Sequence, residues 1–186
     1  MDGEGTDDLV ARMTAFLQRP AHPALTAEIL QATPDAGLEQ AVLDYIFHQI
    51  DRSGEDAAVV VPALPEGLQM VFATWLVESE VSNGGFPQYF WNPASEFAVE
   101  ALYGYRMLGA QRHAAILETA LATYIRERPQ LERFRGGGTP DDFAAWAAYS
   151  ALGTLDWQFW SLATAEDPHA LRIHYIRTHL DEFVAE

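Results

Sequence analysis

The sequence predicts an all-α protein, a compact bundle of about seven to nine helices. Three observations carry this expectation. Apolar residues recur at three- and four-residue steps along most of the chain, proline and glycine punctuate the gaps between those runs, and the connections are short. The composition agrees. Hydrophobic residues make up 49% of the 186, and ten Phe, seven Tyr and five Trp are enough to fill one core, which excludes general disorder.

Leu9, Val10, Met13, Phe16 and Leu17 form a first helical stripe, ended by Arg19-Pro20. A short helix follows near Thr26 to Gln31, opened by Thr26 and stopped by Thr33-Pro34. Leu38, Ala41, Val42, Tyr45, Ile46, Gln49 and Ile50 make a regular stripe, with Asp35 as its expected cap. Residues 53–67 read as a connection, because the Ala58–Val61 run is too short and isolated to argue for a sheet. Pro65 precedes a helix bearing Leu68, Val71, Phe72, Trp75, Leu76 and Val81, and Asn83-Gly84-Gly85 is expected to stop it. Asn92 is expected to cap the next helix, which Pro93, Ala94 and Ser95 open and which ends at Gly109. Ala114, Leu117, Leu121, Tyr124 and Ile125 mark a further helix, expected to stop before Pro129. Gly136-Gly137-Gly138 is the clearest break, preceding a helix capped near Thr139. Phe143, Trp146, Ala147, Ser150, Leu155 and Phe159 continue as one broken or two helices, and a last one runs from about Pro168 to Glu182. The organisation expected is an N-terminal helical segment, residues 1–34, packed as one unit with a helical domain, residues 35–186.

Charge is the sharpest bulk property. Asp and Glu number 27 against 11 basic residues, a formal net charge of −16, and every one of the 11 is arginine. The acid is gathered in blocks. Residues 20–100 hold twelve acidic groups opposed by Arg52 alone, whereas residues 101–135 hold six arginines against three glutamates. A field of this sign repels phosphate backbones, so direct binding of nucleic acid is not expected and a basic protein partner is. The arginine segment is suited to complement an acidic face of the same molecule or of a second copy, which leaves a homodimer open.

Cysteine is absent, which excludes disulfides, thiolate metal sites and cysteine nucleophiles. Six histidines occur without an H-E-x-x-H pattern. His174 and His179 are five apart, about 140° around a helix, and so do not share a face. Glu78 and Glu80 diverge by about 200° on a helix, while Glu96 and Glu100 share a face without any sign of an acid–base role. Ser53, Ser79, Ser82 and Ser161 lack a G-x-S-x-G elbow, and the glycine run at 136–138 lacks the lysine of a phosphate-binding loop. No catalytic residue, metal ligand or cofactor is therefore expected. The acidic N-terminus carries no long apolar stretch, so no membrane association and a cytoplasmic location are expected.

The densest local feature lies between two helices: Asn83, Gly84, Gly85, Phe86, Pro87, Gln88, Tyr89, Phe90, Trp91 and Asn92. Its rings are expected to anchor a loop in the core, while Asn83, Gln88 and Asn92 satisfy backbone groups at helix ends. The segment from Glu80 to Asn92, with Ala101-Leu102, Leu108-Gly109-Ala110 and the aliphatic stretch from Ile116 to Tyr124, resembles a bacterial family of DNA-mimic proteins of about this size. The shared domain of that family was first catalogued as of unknown function, and the likeness spans roughly residues 35–160. The resemblance implies an all-helical fold and an acidic surface that imitates the phosphates of duplex DNA. In that family the surface occupies the DNA-binding face of a transcription factor. The motif itself is apolar and amidic, so it reads as a fold signature.

Mimicry requires carboxylates in rows, because B-DNA carries one negative charge per about 1.7 Å of axis. Asp44, Asp51 and Glu55 are spaced for one helical ridge if the helix persists past Ser53 and Gly54. The expected partner surface is Asp35, Glu39, Asp44, Asp51, Glu55, Asp56 and Glu66, and the expected partner a basic DNA-binding protein. Two other readings stay open: an acidic, immunity-like antagonist of a different basic partner, and a hydrolase built around a cleft at residues 83–92.

Overall fold

The computed structural model describes residues 24–162 and 165–184, and among them all regular structure is helical. The helix expected over Leu9 to Leu17 lies outside the described residues. Thr26 caps α1 (Ala27–Ala32) as expected, its hydroxyl accepting the Ile29 N–H at 3.3 Å. In α2 (Asp35–Ser53) the first helical residue is Asp35 itself and Pro34 occupies the cap, so the carboxylate is not the cap the sequence suggested. The helix buries Leu38, Ala41, Val42, Leu43 and Ile46 and ends at Gly54, whose φ of 71° is the left-handed geometry of a helix end. The ridge that would need the helix to continue into Glu55 is therefore broken.

The connection after α2 is helical rather than irregular, with α3 (Ala57–Val60) followed by a 3-10 turn at Val61–Ala63. Next comes α4 (Glu66–Trp91), which is interrupted at Gly84 and Gly85 but resumes at Phe86. The aromatic segment expected as a loop is thus a short helix. A 3-10 turn (Pro93–Phe97) leads into α5 (Ala98–Met107), and α6 (Gln111–Phe134) passes through Pro129 instead of stopping there. Proline at 129 leaves the carbonyl of Ile125 without its helical donor. Ile125 is 69% exposed, so water can supply the missing partner.

Thr139 opens α7 (Pro140–Tyr149) with a reciprocal capping box to Asp142. A 3-10 turn (Ala151–Leu155) separates it from α8 (Asp156–Ser161); α9 (Pro168–Thr178) and a 3-10 turn (Leu180–Glu182) follow. The core is organised around α4, which packs against α5, α2 and α7, while α9 reaches α1, α2 and α4. Rings tie these layers together: Phe47 of α2 meets Phe72 of α4 edge-on at 5.9 Å, and Phe72 meets Phe97 at 5.2 Å. Among the described residues no helix is long and apolar enough to cross a membrane.

Candidate partner-binding face

The acidic block is divided by the fold. At the N-terminal end of α2, Asp35 accepts two bonds from Arg177 of α9, at 2.8 and 2.6 Å. One turn on, Glu39 is paired with Arg172 and lies 3.1 Å from His169 Nδ1. Arg172, 1% exposed, also pairs with Glu78 of α4, which accepts the Tyr105 hydroxyl at 3.4 Å. The two carboxylates hold the Arg172 guanidinium firmly in its charged form against the burial that opposes it. Glu39 and Glu78 are partly buried against Arg172, whereas Asp35 is paired at the surface.

The C-terminal end of α2 differs. Asp44 accepts Gln40 Nε2 at 2.8 Å and lies within about 60° of Phe47 and Asp51 around the helix. Asp51, Glu55 and Asp56 are exposed and join no ion pair among the described residues. Arg52, between them, donates to Gln49. Four of the six arginines of residues 106–135 are engaged elsewhere. Arg106 pairs with Glu118, Arg126 with Glu127 and Arg128 with Glu132, while Arg135 donates to the carbonyls of Phe90 and Trp91.

Beside this end lies a groove of about 500 Å³, floored by Phe72, Leu76 and Phe97 and bordered by Asp56, Glu80 and Glu96. The ring contact from Phe47 to Phe72 joins the Asp44–Asp51 side of α2 to the groove floor. Glu80 and Glu96 were not in the expected partner surface. The signal for Glu80 was the amide pair that follows it, because Gln88 Nε2 and Asn92 Nδ2 both donate to Glu80 Oε2, at 2.9 and 2.8 Å. Those amides therefore hold a carboxylate, not the backbone groups expected of them. Glu66 lies apart, by Tyr103, whose phenol it pushes above its ordinary pKa through a hydrogen bond.

The N-G-G-F segment owes its shape to distant charges. Gly85 has φ 77°, and a Cβ there would lie 2.2 Å from Asp156 Oδ2. The same carboxylate accepts the Phe86 N–H at 2.8 Å, as an N-cap supplied by α8. At the other end of this short helix, Arg135 binds the last carbonyls and lies over the Trp91 ring at 5.6 Å. Phe86, Tyr89 and Phe90 are wholly buried, as expected of core anchors. Above the segment is an open groove of about 360 Å³ lined by Asn83, Gln88, Trp91, Asn92, Gly138, Thr139, Pro140 and Phe143. Among the described residues no lining side chain is ionisable in the physiological range, and Thr139 is occupied by its capping box, so these residues offer the groove no acid, base or activated nucleophile.

An all-helical core that buries Phe86, Tyr89 and Phe90, with Asp51, Glu55 and Asp56 exposed and outside any ion pair among the described residues, defines a class of small acidic helical proteins. The family profile described as DMP19-like protein matches residues 62–179, and the chain belongs to that family, a known family of bacterial DNA mimics. The family is one of non-enzymatic proteins. Comparison with curated proteins and with solved structures found no match.

Proposed function

We propose that this protein is a DNA mimic that binds the basic DNA-contacting face of a DNA-binding protein, such as a transcription factor, and excludes duplex from it. The single observation that carries the reading is the exposed group Asp51, Glu55 and Asp56, without cationic partners among the described residues, in a chain of net charge −16. Carboxylates left in water keep their field available to a partner and steer its approach. Asp44 extends this surface; Glu66, which lies apart from it, and Asp35 and Glu39, which are anchored to α9, contribute through their charge. Family membership supports the same partner class.

The test uses bacterial DNA-binding proteins retained on heparin, passed over the immobilised protein. Those captured are then challenged with their own labelled duplex. Competition should weaken as salt rises, because exposed charges are screened. The variant D44N/D51N/E55Q should compete at least about tenfold less well, as expected for loss of several interfacial charge contacts. Undiminished competition by that variant would put the contact surface elsewhere. A captured basic partner that binds no DNA would favour the antagonist reading.

A further inference from the structure

We propose that the groove between α3, α4 and the Pro93–Phe97 turn receives an arginine side chain of the basic partner. Its aliphatic stem lies over Phe72, Leu76 and Phe97, and its guanidinium sits among the carboxylates of Asp56, Glu80 and Glu96. This deepens the DNA-mimic reading and rests on it for the kind of partner, although the chemistry of the groove stands on its own residues.

Charge complementarity selects a cation. Three carboxylates line one groove, and among the described residues no arginine or histidine lines it with them. Their mutual repulsion is relieved by a positive charge placed between them. The apolar floor then selects the kind of cation. A small hydrated ion gains nothing from rings and a leucine, whereas a side chain with a long hydrocarbon stem covers them. Arginine fits better than lysine, because its guanidinium is planar, weakly hydrated, stacks on aromatic faces and forks onto carboxylates.

Apolar surface also lies beside the groove on the α2 and α3 sides, where Val59 is 61% exposed and Phe47 39%. The volume of about 500 Å³ falls within the range of roughly 300–1,000 Å³ typical of ligand sites, leaving room for backbone flanking the inserted side chain. Glu80 is pre-oriented. Gln88 and Asn92 fix Oε2, and Oε1 has no donor among the described residues. The amides of the family segment thus act as positioning residues for this groove, which gives that segment a role beyond the fold.

The experiment titrates Nα-acetyl-arginine amide, Nα-acetyl-lysine amide and Nα-acetyl-citrulline amide into the full chain and follows Leu and Ala methyl resonances by NMR. The arginine probe should shift the methyls of Leu76, Ala57, Ala58 and Ala94 saturably. The lysine probe should bind at least about threefold more weakly, and the uncharged citrulline probe should leave them unmoved. Ala58→Leu, which fills the groove from an exposed position, and Glu96→Gln, which removes one carboxylate from its border, should each weaken the arginine probe about tenfold. Glu118→Gln, on α6, should change nothing, and the methyl spectra report directly whether each variant is folded. No saturable shift at these methyls, an equal response to citrulline, or binding indifferent to Ala58→Leu would overturn the proposal. The two readings fail separately. Capture and displacement of a DNA-binding protein without a groove response removes the arginine site alone. A groove response without any DNA-binding partner removes the mimicry reading alone.

Discussion

The two ends of α2 carry the same kind of side chain to opposite outcomes. At its start Asp35 and Glu39 are bound by Arg177 and Arg172, whereas at its end Asp51 is exposed with Glu55 and Asp56 beyond it. The difference lies in what packs alongside, since α9 brings two arginines to the first half and α3 brings only alanine and valine to the second. Net charge therefore does not measure the surface a partner meets. Among the acids of this chain, some are structural cement and others stand in water, and the second group is the one proposed to meet a partner directly.

The largest expected effect breaks the held group. Arg172→Met leaves Glu39 and Glu78 facing one another in the interior without their cation. Removing one partner of a buried ion pair costs about 3–5 kcal/mol, so the urea midpoint should fall by that equivalent. By contrast, Asp51→Asn should stay within about 0.5 kcal/mol of the parent, as surface substitutions do. Equal losses for the two variants would erase the division between the ends of α2.

A second change tests whether Asp156 belongs with the held acids. Gly85→Ala places a methyl against that carboxylate and forces a side chain into φ 77°. Backbone strain of this kind costs about 1–3 kcal/mol, and displacing the Phe86 N–H from its cap adds to it. The expected loss is about 2 kcal/mol by urea unfolding, with binding of a basic partner through the α2–α3 side retained. A loss of binding larger than the loss of folded fraction would mean that the segment itself contacts the partner.

The helices were legible because burial imposes a period, and Leu38 to Ile46 or Ala114 to Leu117 show it without help from other elements. The exceptions have non-local causes. Residues 86–91 read as a loop because their helix is stabilised from outside by Asp156 and Arg135, which lie far away in sequence. Pro129 reads as a stop because the cost of a proline inside a helix depends on whether water reaches the Ile125 carbonyl, which the sequence does not specify. The site was legible only as a block of charge. Its partition depends on pairs 133 and 142 residues apart, Arg172 with Glu39 and Arg177 with Asp35. Glu80 was visible as an acid two residues from Glu78, yet its place in the groove depends on amides presented by the next stretch of helix.

Among the held acids the smallest loss is expected at Glu166, whose partners are mostly backbone. Its carboxylate accepts the N–H groups of Arg112 and His113 at the start of α6, at 3.1 and 2.9 Å, and lies 2.7 Å from His113 Nδ1. Burial pushes this carboxyl upward, but the His113 and Arg112 N–H groups and the His113 ring outweigh it and leave its pKa below the ordinary 4.5. A depressed folded-state pKa contributes stability above the unfolded value and loses it as pH falls through the folded value. Glu166→Gln should therefore cost about 1 kcal/mol near neutrality, the usual value of a helix cap, since it removes the charge that complements the α6 N-terminus. Below pH 4.5 the gap between variant and parent should narrow and then close as the parent takes up its proton. Urea unfolding followed between about pH 3 and pH 7 reads this directly. A gap that stays constant across the range would mean that the carboxylate acts through shape alone, and Glu166 would then leave the group of acids the fold holds by charge.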